Sequence, residues 1–188
     1  MAIKTFTTGE VLTAADTNTY LANSGLVYIS TTSFSGSNVA QFQSCFTSTY
    51  TNYRVLLSYT LASANAMYLR WLVGSTVQTG NNLSMAFGAS YSTNVYTGST
   101  RGDQYIPIPA GYPTYPTTFA MDIFSPQAVD YTSLMINTTV LGISASDSGM
   151  TMANARNVAT TQINGFEITN AGGPNIAGTM TLYGYRKA

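Results

Sequence analysis

With 188 residues, 45% of them apolar, the chain fits one domain with a real core, and no apolar run approaches the roughly 20 residues a membrane span needs. Seven basic and seven acidic residues cancel to zero net charge, and the basic ones are scattered, which excludes the clustered cations that phosphate binding to nucleic acid or an acidic membrane requires. Histidine is absent and Cys45 is alone, which excludes Ser-His and Cys-His nucleophile pairs, His-bearing zinc sites and an intrachain disulfide.

The first predicted element is a short helix over 14–23. Thr13 is placed to cap it, Asp16 stands three residues on as a short-armed capping partner, and Gly25 ends it. Leu12, Ala15, Leu21 and Ala22 give it only a thin apolar stripe, and so short a helix is marginal alone in water. It must pack on something, and another chain is the expected surface. Val11, Leu12, Asp16, Tyr20 and Leu21 are the candidate attachment residues, and the chain divides into an arm, 1–25, and a β-domain, 26–188.

After Gly25 the apolar period changes to two. Tyr53, Val55, Leu57 and Tyr59 share one strand face, and Met67, Leu69, Trp71 and Val73 share another. Further strands are predicted at 26–32, 39–46, 83–91, 117–124, 134–140, 150–154, 163–169 and 179–186. Ten short strands without a second helix predict an all-β fold, an antiparallel β-sandwich with jelly-roll connectivity as first choice and an immunoglobulin-like one as second. Cys45, between Ser44 and Phe46, reads as a small buried hydrophobe.

Two stretches read as loops. Residues 92–104 have little apolar content to bury, and 105–116 carry four of the six prolines, which exclude a central strand and favour a stiff crossover or an edge. Arg101, Gly102, Asp103, Tyr105, Tyr112 and Tyr115 are therefore the candidate exposed contact loop. Arg101-Gly102-Asp103 spells an adhesion tripeptide, but turn chemistry alone accounts for it. Residues 170–175 form a second loop, between the last two strands.

Gly9-Glu10-Val11-Leu12-Thr13-Ala14-Ala15-Asp16, followed by Asn18, Tyr20 and Leu21, resembles the opening of many tail and other virion proteins of tailed bacteriophages. The closing run Gly178-Thr179-Met180-Thr181-Leu182-Tyr183-Gly184-Tyr185-Arg186 is similar to the final strand of phage surface β-domains. The resemblance covers these two ends and implies a non-enzymatic part of a phage particle, located in the virion.

The carboxylates left for acid–base chemistry are Glu10, Asp16, Asp103, Asp122, Asp130, Asp147 and Glu167, and no two form a local motif. Asp147 stands alone in a polar turn where a calcium loop needs several carboxylates, so neither metal nor cofactor is expected. Among the 14 tyrosines, Tyr53 and Tyr59 fall on core faces with Trp71, whereas Tyr91, Tyr96, Tyr105, Tyr112 and Tyr115 are free to meet a glycan. Ser and Thr make up about a quarter of the chain, and a neutral hydroxyl surface has little repulsion to keep copies apart. The expected partners are other virion proteins, further copies in a homo-oligomer with a trimer as first guess, and a host surface glycan. Tail fibre, tip or adaptor is the first placement, capsid decoration the second, and a free sugar-binding lectin-like domain the third reading.

Overall fold

The structure, a computed structural model, describes residues 7–11, 13–16, 25–63, 65–80, 82–90, 95–111, 113, 115–141, 148–170 and 172–186. A helical turn at Ala14–Asp16 is followed by strands β1 (Leu26–Ser37), β2 (Val39–Phe42), β3 (Asn52–Leu61), β4 (Asn65–Val73), β5 (Thr76–Val77), β6 (Asn82–Ser90) and β7 (Val95–Asp103). The rest are β8 (Ile106–Gly111), β9 (Thr117–Phe124), β10 (Thr132–Leu141), β11 (Ser148–Asn157), β12 (Gly165–Asn170) and β13 (Ile176–Tyr185). They form two antiparallel sheets packed face to face, one ordered β1-β13-β3-β9-β10-β11-β6-β7 and the other β2-β12-β4-β5 with β8 also on β4. The fold is a β-sandwich.

Alternation places the core. From the larger sheet, Tyr53, Val55, Leu57, Phe119, Met121, Ile123, Leu134, Ile136, Met180 and Leu182 point inward and are buried. From the smaller sheet, Phe42, Met67, Leu69, Trp71, Phe166 and Ile168 meet them, and Ile106 and Ile108 of β8 close one end. Each such side chain contributes roughly 1.5–3 kcal/mol on burial, so the stability of the fold resides in this layer. Tyr59 is almost wholly buried, and its hydroxyl donates to the carbonyl of Pro109, tying β3 to β8 across the sandwich.

Three strands lie where the alternation pattern predicted none. Residues 92–104 were expected as a loop, but Val95–Asp103 pairs along β6 as the outermost strand of the larger sheet. An edge strand needs partners for its backbone and little apolar surface, so a Ser, Thr and Gly sequence suffices. β8 carries Pro107 and Pro109, and it pairs with β4 on one side only, the edge position that proline tolerates. The two-residue β5 turns back on β4 through Gly74, whose φ of 62° suits a residue without a Cβ.

The first and last strands pair at one edge of the larger sheet, β1 with β13 from Leu26↔Tyr185 to Ser37↔Ile176. The Gly25 carbonyl accepts the Arg186 N–H at 3.4 Å, so the β-domain begins and ends at one place. Ile29 is the extra residue of a bulge in β1, because Tyr28 faces Tyr183 while Ser30 faces Leu182.

Candidate functional site

The candidate attachment segment contributes nothing to the core among its described residues. Residues 7–11 and 13–15 are all exposed, Val11 at 79%, and Asp16 belongs to the helical turn Ala14–Asp16. Its local order comes from Glu10, whose N–H reaches the Thr7 carbonyl at 3.0 Å and whose carboxylate accepts the Thr7 N–H at 3.1 Å. Of the helix predicted over 14–23 only Ala14–Asp16 falls within the described residues, and the rest of that stretch, with Leu12, Tyr20 and Leu21, lies outside them.

The candidate contact loop is corrected in part. Arg101, Gly102 and Asp103 end β7 in register with Leu83 and Asn82, with Gly102 as the residue a bulge leaves between them. The tripeptide is the paired end of a strand and not the tip of a loop. Tyr105 follows it, 38% exposed, with its ring 4.1 Å from that of Tyr68. Tyr115 is half-buried, and Tyr112 lies outside the described residues, as do Tyr91 and Asp147. Tyr53, Tyr59 and Trp71 are buried in the core as alternation predicted.

Among the described residues two carboxylates are buried, and each is occupied. On the outer face of the larger sheet Asp122 accepts Arg54 Nε and Nη2, both at 2.8 Å, and the Tyr185 hydroxyl at 2.7 Å. On the smaller sheet Glu167 accepts Arg70 Nε at 2.5 Å and Gln41 Nε2 at 2.7 Å, while Gln43 Nε2 donates to Gln41 Oε1 at 2.8 Å. These two carboxyls stand on different sheets, Asp122 on β9 and Glu167 on β12. Asp130 accepts the N–H of Tyr131 at 2.7 Å in an exposed turn. Among the described residues no three His, Cys, Asp or Glu side chains come together as a metal site.

Sequence reasoning missed one feature, a cleft of about 670 Å³ where the edge strands β1 and β2 diverge. Tyr28, Ile29, Ser30 and Thr32 line it from β1, Gln41 and Phe42 from β2, Met180 and Leu182 from β13, and Gln43, Ser44, Cys45, Thr47, Thr49 and Tyr50 from the segment that follows β2. That segment is fixed in place. The Tyr53 hydroxyl both accepts the Thr47 N–H and donates to the Thr47 carbonyl, each at 2.7 Å, and the Phe46 N–H reaches the Asn164 carbonyl at 3.1 Å. Ser44 holds a left-handed φ of 51°, a strained state for a residue with a Cβ. Cys45 is only partly buried, and its thiol donates to the Phe42 carbonyl at 3.3 Å; burial pushes it up to about 12 and keeps it neutral. No local sequence signal marks the cleft, because its walls come from β1, β2 and β13, which are far apart in the chain.

Comparison with family models, with curated proteins and with solved structures gives no match for this chain. The fold and the cleft therefore define it as an antiparallel β-sandwich with an open, uncharged trough at one sheet edge.

Proposed function

We propose that this chain is a non-enzymatic structural protein of a tailed-phage virion, docked by its N-terminal segment and presenting the β-sandwich outward as a tail fibre, tip or adaptor component. The observation that carries the reading is the separation of arm from core. Residues 7–11 and 13–15 of the arm are exposed, whereas among the described residues the buried hydrophobic core starts with Ala40 and lies between the two sheets, with Phe46 and Ile163 added from the connecting segments. A segment whose described residues form a defined turn and stay exposed is suited to being covered by something else. The phage-like opening falls on this same segment, and the neutral hydroxyl-rich surface suits life among copies in an assembly, with a trimer the proposed state. Capsid decoration is the second placement, favoured by the compact single sandwich without fibre repeats.

The test is addition of purified full-length and Δ1–24 protein to particles assembled without it, followed by sedimentation and cryo-EM. The full-length chain is expected to sediment with the particle, on tail or head, and the truncated chain to stay in solution with an unchanged circular dichroism spectrum. Full-length protein that stays in solution, or truncated protein that binds equally well, would overturn the reading.

A further inference from the structure

We infer that the outer face of the larger sheet is a self-association surface, on which a second copy of the chain lays the same face about a two-fold axis running along the strands between β9 and β10. The contact needs no part of the arm, so it goes beyond the proposed function and adds a two-fold to the trimer proposed there.

The face is apolar at its middle. Among the described residues, six of the eleven large apolar side chains left exposed stand on it: Leu26, Tyr28, Leu56, Phe124, Met135 and Met152. Alternation puts them there, as with Leu56 between the buried Val55 and Leu57, and Met135 between the buried Leu134 and Ile136. Leu56, Phe124, Met135 and Met152 belong to β3, β9, β10 and β11, the four central strands of the eight, and are 36–44% exposed. Phe124 and Met135 are diagonal neighbours across the β9–β10 pair, and Met135 and Met152 are diagonal neighbours across β10–β11. Towards the β1 edge the face turns to Tyr28, Thr31, Thr181 and Tyr183. Methionine and aromatic groups at the centre with hydroxyls at the side are the anatomy of a protein interface, not of a solvated sheet face.

Charge and register select a copy as the occupant. Arg54 is held by Asp122, and the Arg156 guanidinium lies 4.5 Å over the Tyr131 ring, so the face offers no cluster of cations to a phosphate-bearing partner. A two-fold contact requires that when one residue meets a second, the second also meets the first. Leu56 and Met152 stand in one cross-strand row, Leu56–Ala120–Asn137–Met152, with the line between β9 and β10 at its middle. A two-fold along that line sets each of them on the other in the second copy. In the neighbouring rows it sets Arg54 opposite Asn154 and Arg156 opposite Asn52, so no two like charges meet. Sheets stacked in this way pack ~10 Å apart with their strands within ~30° of one another. The extent is also sufficient. Eight strands ~4.8 Å apart, paired over ~20 Å of their length, give a face of roughly 700 Å², within the ~600–1,000 Å² per partner of a stable interface.

The experiment is sedimentation velocity and native mass spectrometry on the full chain over a concentration series. An even number of copies is expected, a dimer if the two-fold acts alone and a hexamer if the proposed trimer forms as well. Leu56→Lys and Met152→Lys should each weaken the two-fold contact at least about tenfold, with an unchanged circular dichroism spectrum because both side chains are exposed. Leu56→Lys combined with Met152→Glu in one chain should restore it, because the two positions meet only across the axis; within a chain they stand three strand spacings apart, ~14 Å. Tyr105→Lys, beside Tyr68 of the smaller sheet, should change nothing. A strict monomer or trimer, an even-numbered oligomer indifferent to positions 56 and 152, or a charge pair that fails to rescue would overturn the inference. So would a monomeric wild-type chain whose sedimentation with the particle is lost in the Lys variants, which would give the face to another virion protein. Failure of the arm-deletion test bears on the proposed function alone.

Discussion

Arg54 holds Asp122 across the β3–β9 pair by two hydrogen bonds of 2.8 Å, Nε to Oδ1 and Nη2 to Oδ2, a bidentate grip that fixes one strand's register against the other. Tyr185 on β13 adds its hydroxyl to Oδ1, so one carboxylate joins three adjacent strands of the larger sheet. Asp122→Ala should leave the guanidinium and the phenol without their acceptor. Both are partly open to water, which limits the cost to about 1–2 kcal/mol. Urea denaturation should show a lower midpoint with an unchanged slope, and Asp122→Asn should fall between the two.

The Tyr59 hydroxyl, buried against the Pro109 carbonyl, is the tie between β3 and the proline-bearing edge strand β8. Tyr59→Phe keeps the ring and its edge-on contact with Phe119 but strands a buried carbonyl. A loss of about 1–2 kcal/mol is expected. Hydrogen exchange should quicken at Ile106 and Ile108 and leave β9 and β10 at wild-type protection.

Alkaline pH should weaken the fold. Burial raises the Cys45 thiol from 9.0 to about 12 and raises the Tyr59 hydroxyl further. In both groups the folded chain holds its proton more tightly than the unfolded chain. The stability they contribute is complete below the unfolded thiol value and is lost as pH rises from about 9 towards 12. Denaturation midpoints should be flat through neutral pH and fall across that window. Cys45→Ala should reduce the fall, and Ellman's reagent at neutral pH should label Cys45 slowly until denaturant is added.

The core was legible because it obeys a local rule. Tyr53, Val55, Leu57 and Tyr59 alternate with Arg54, Leu56 and Ser58, and sheet periodicity needs no knowledge of what lies opposite. β7 was not legible because an edge strand is held through its backbone, and Thr97-Gly98-Ser99-Thr100 has no side-chain pattern to show it. The cleft was hidden for a different reason. It joins Tyr28 and Gln41 to Met180 and Leu182, which come together only because the last strand pairs with the first.

That closure makes Gly184 a sharp probe of the cleft wall. A Cβ at Gly184 would lie 2.3–2.5 Å from Cγ, Cδ1 and Cδ2 of Tyr50, so the ring rests directly on the glycine. Gly184→Ala must push Tyr50 aside, breaking its edge-on contact with Tyr53 at 5.8 Å and costing about 1–2 kcal/mol. In a Tyr50→Ala background the nearest obstructing atoms are gone. Gly184 also does not hold a positive φ, so there the same change should be neutral or stabilising by up to about 1 kcal/mol through the unfolded chain. The double-mutant cycle should therefore give a coupling of about 1–3 kcal/mol between the two positions, and independent effects would mean that Tyr50 is not seated on β13.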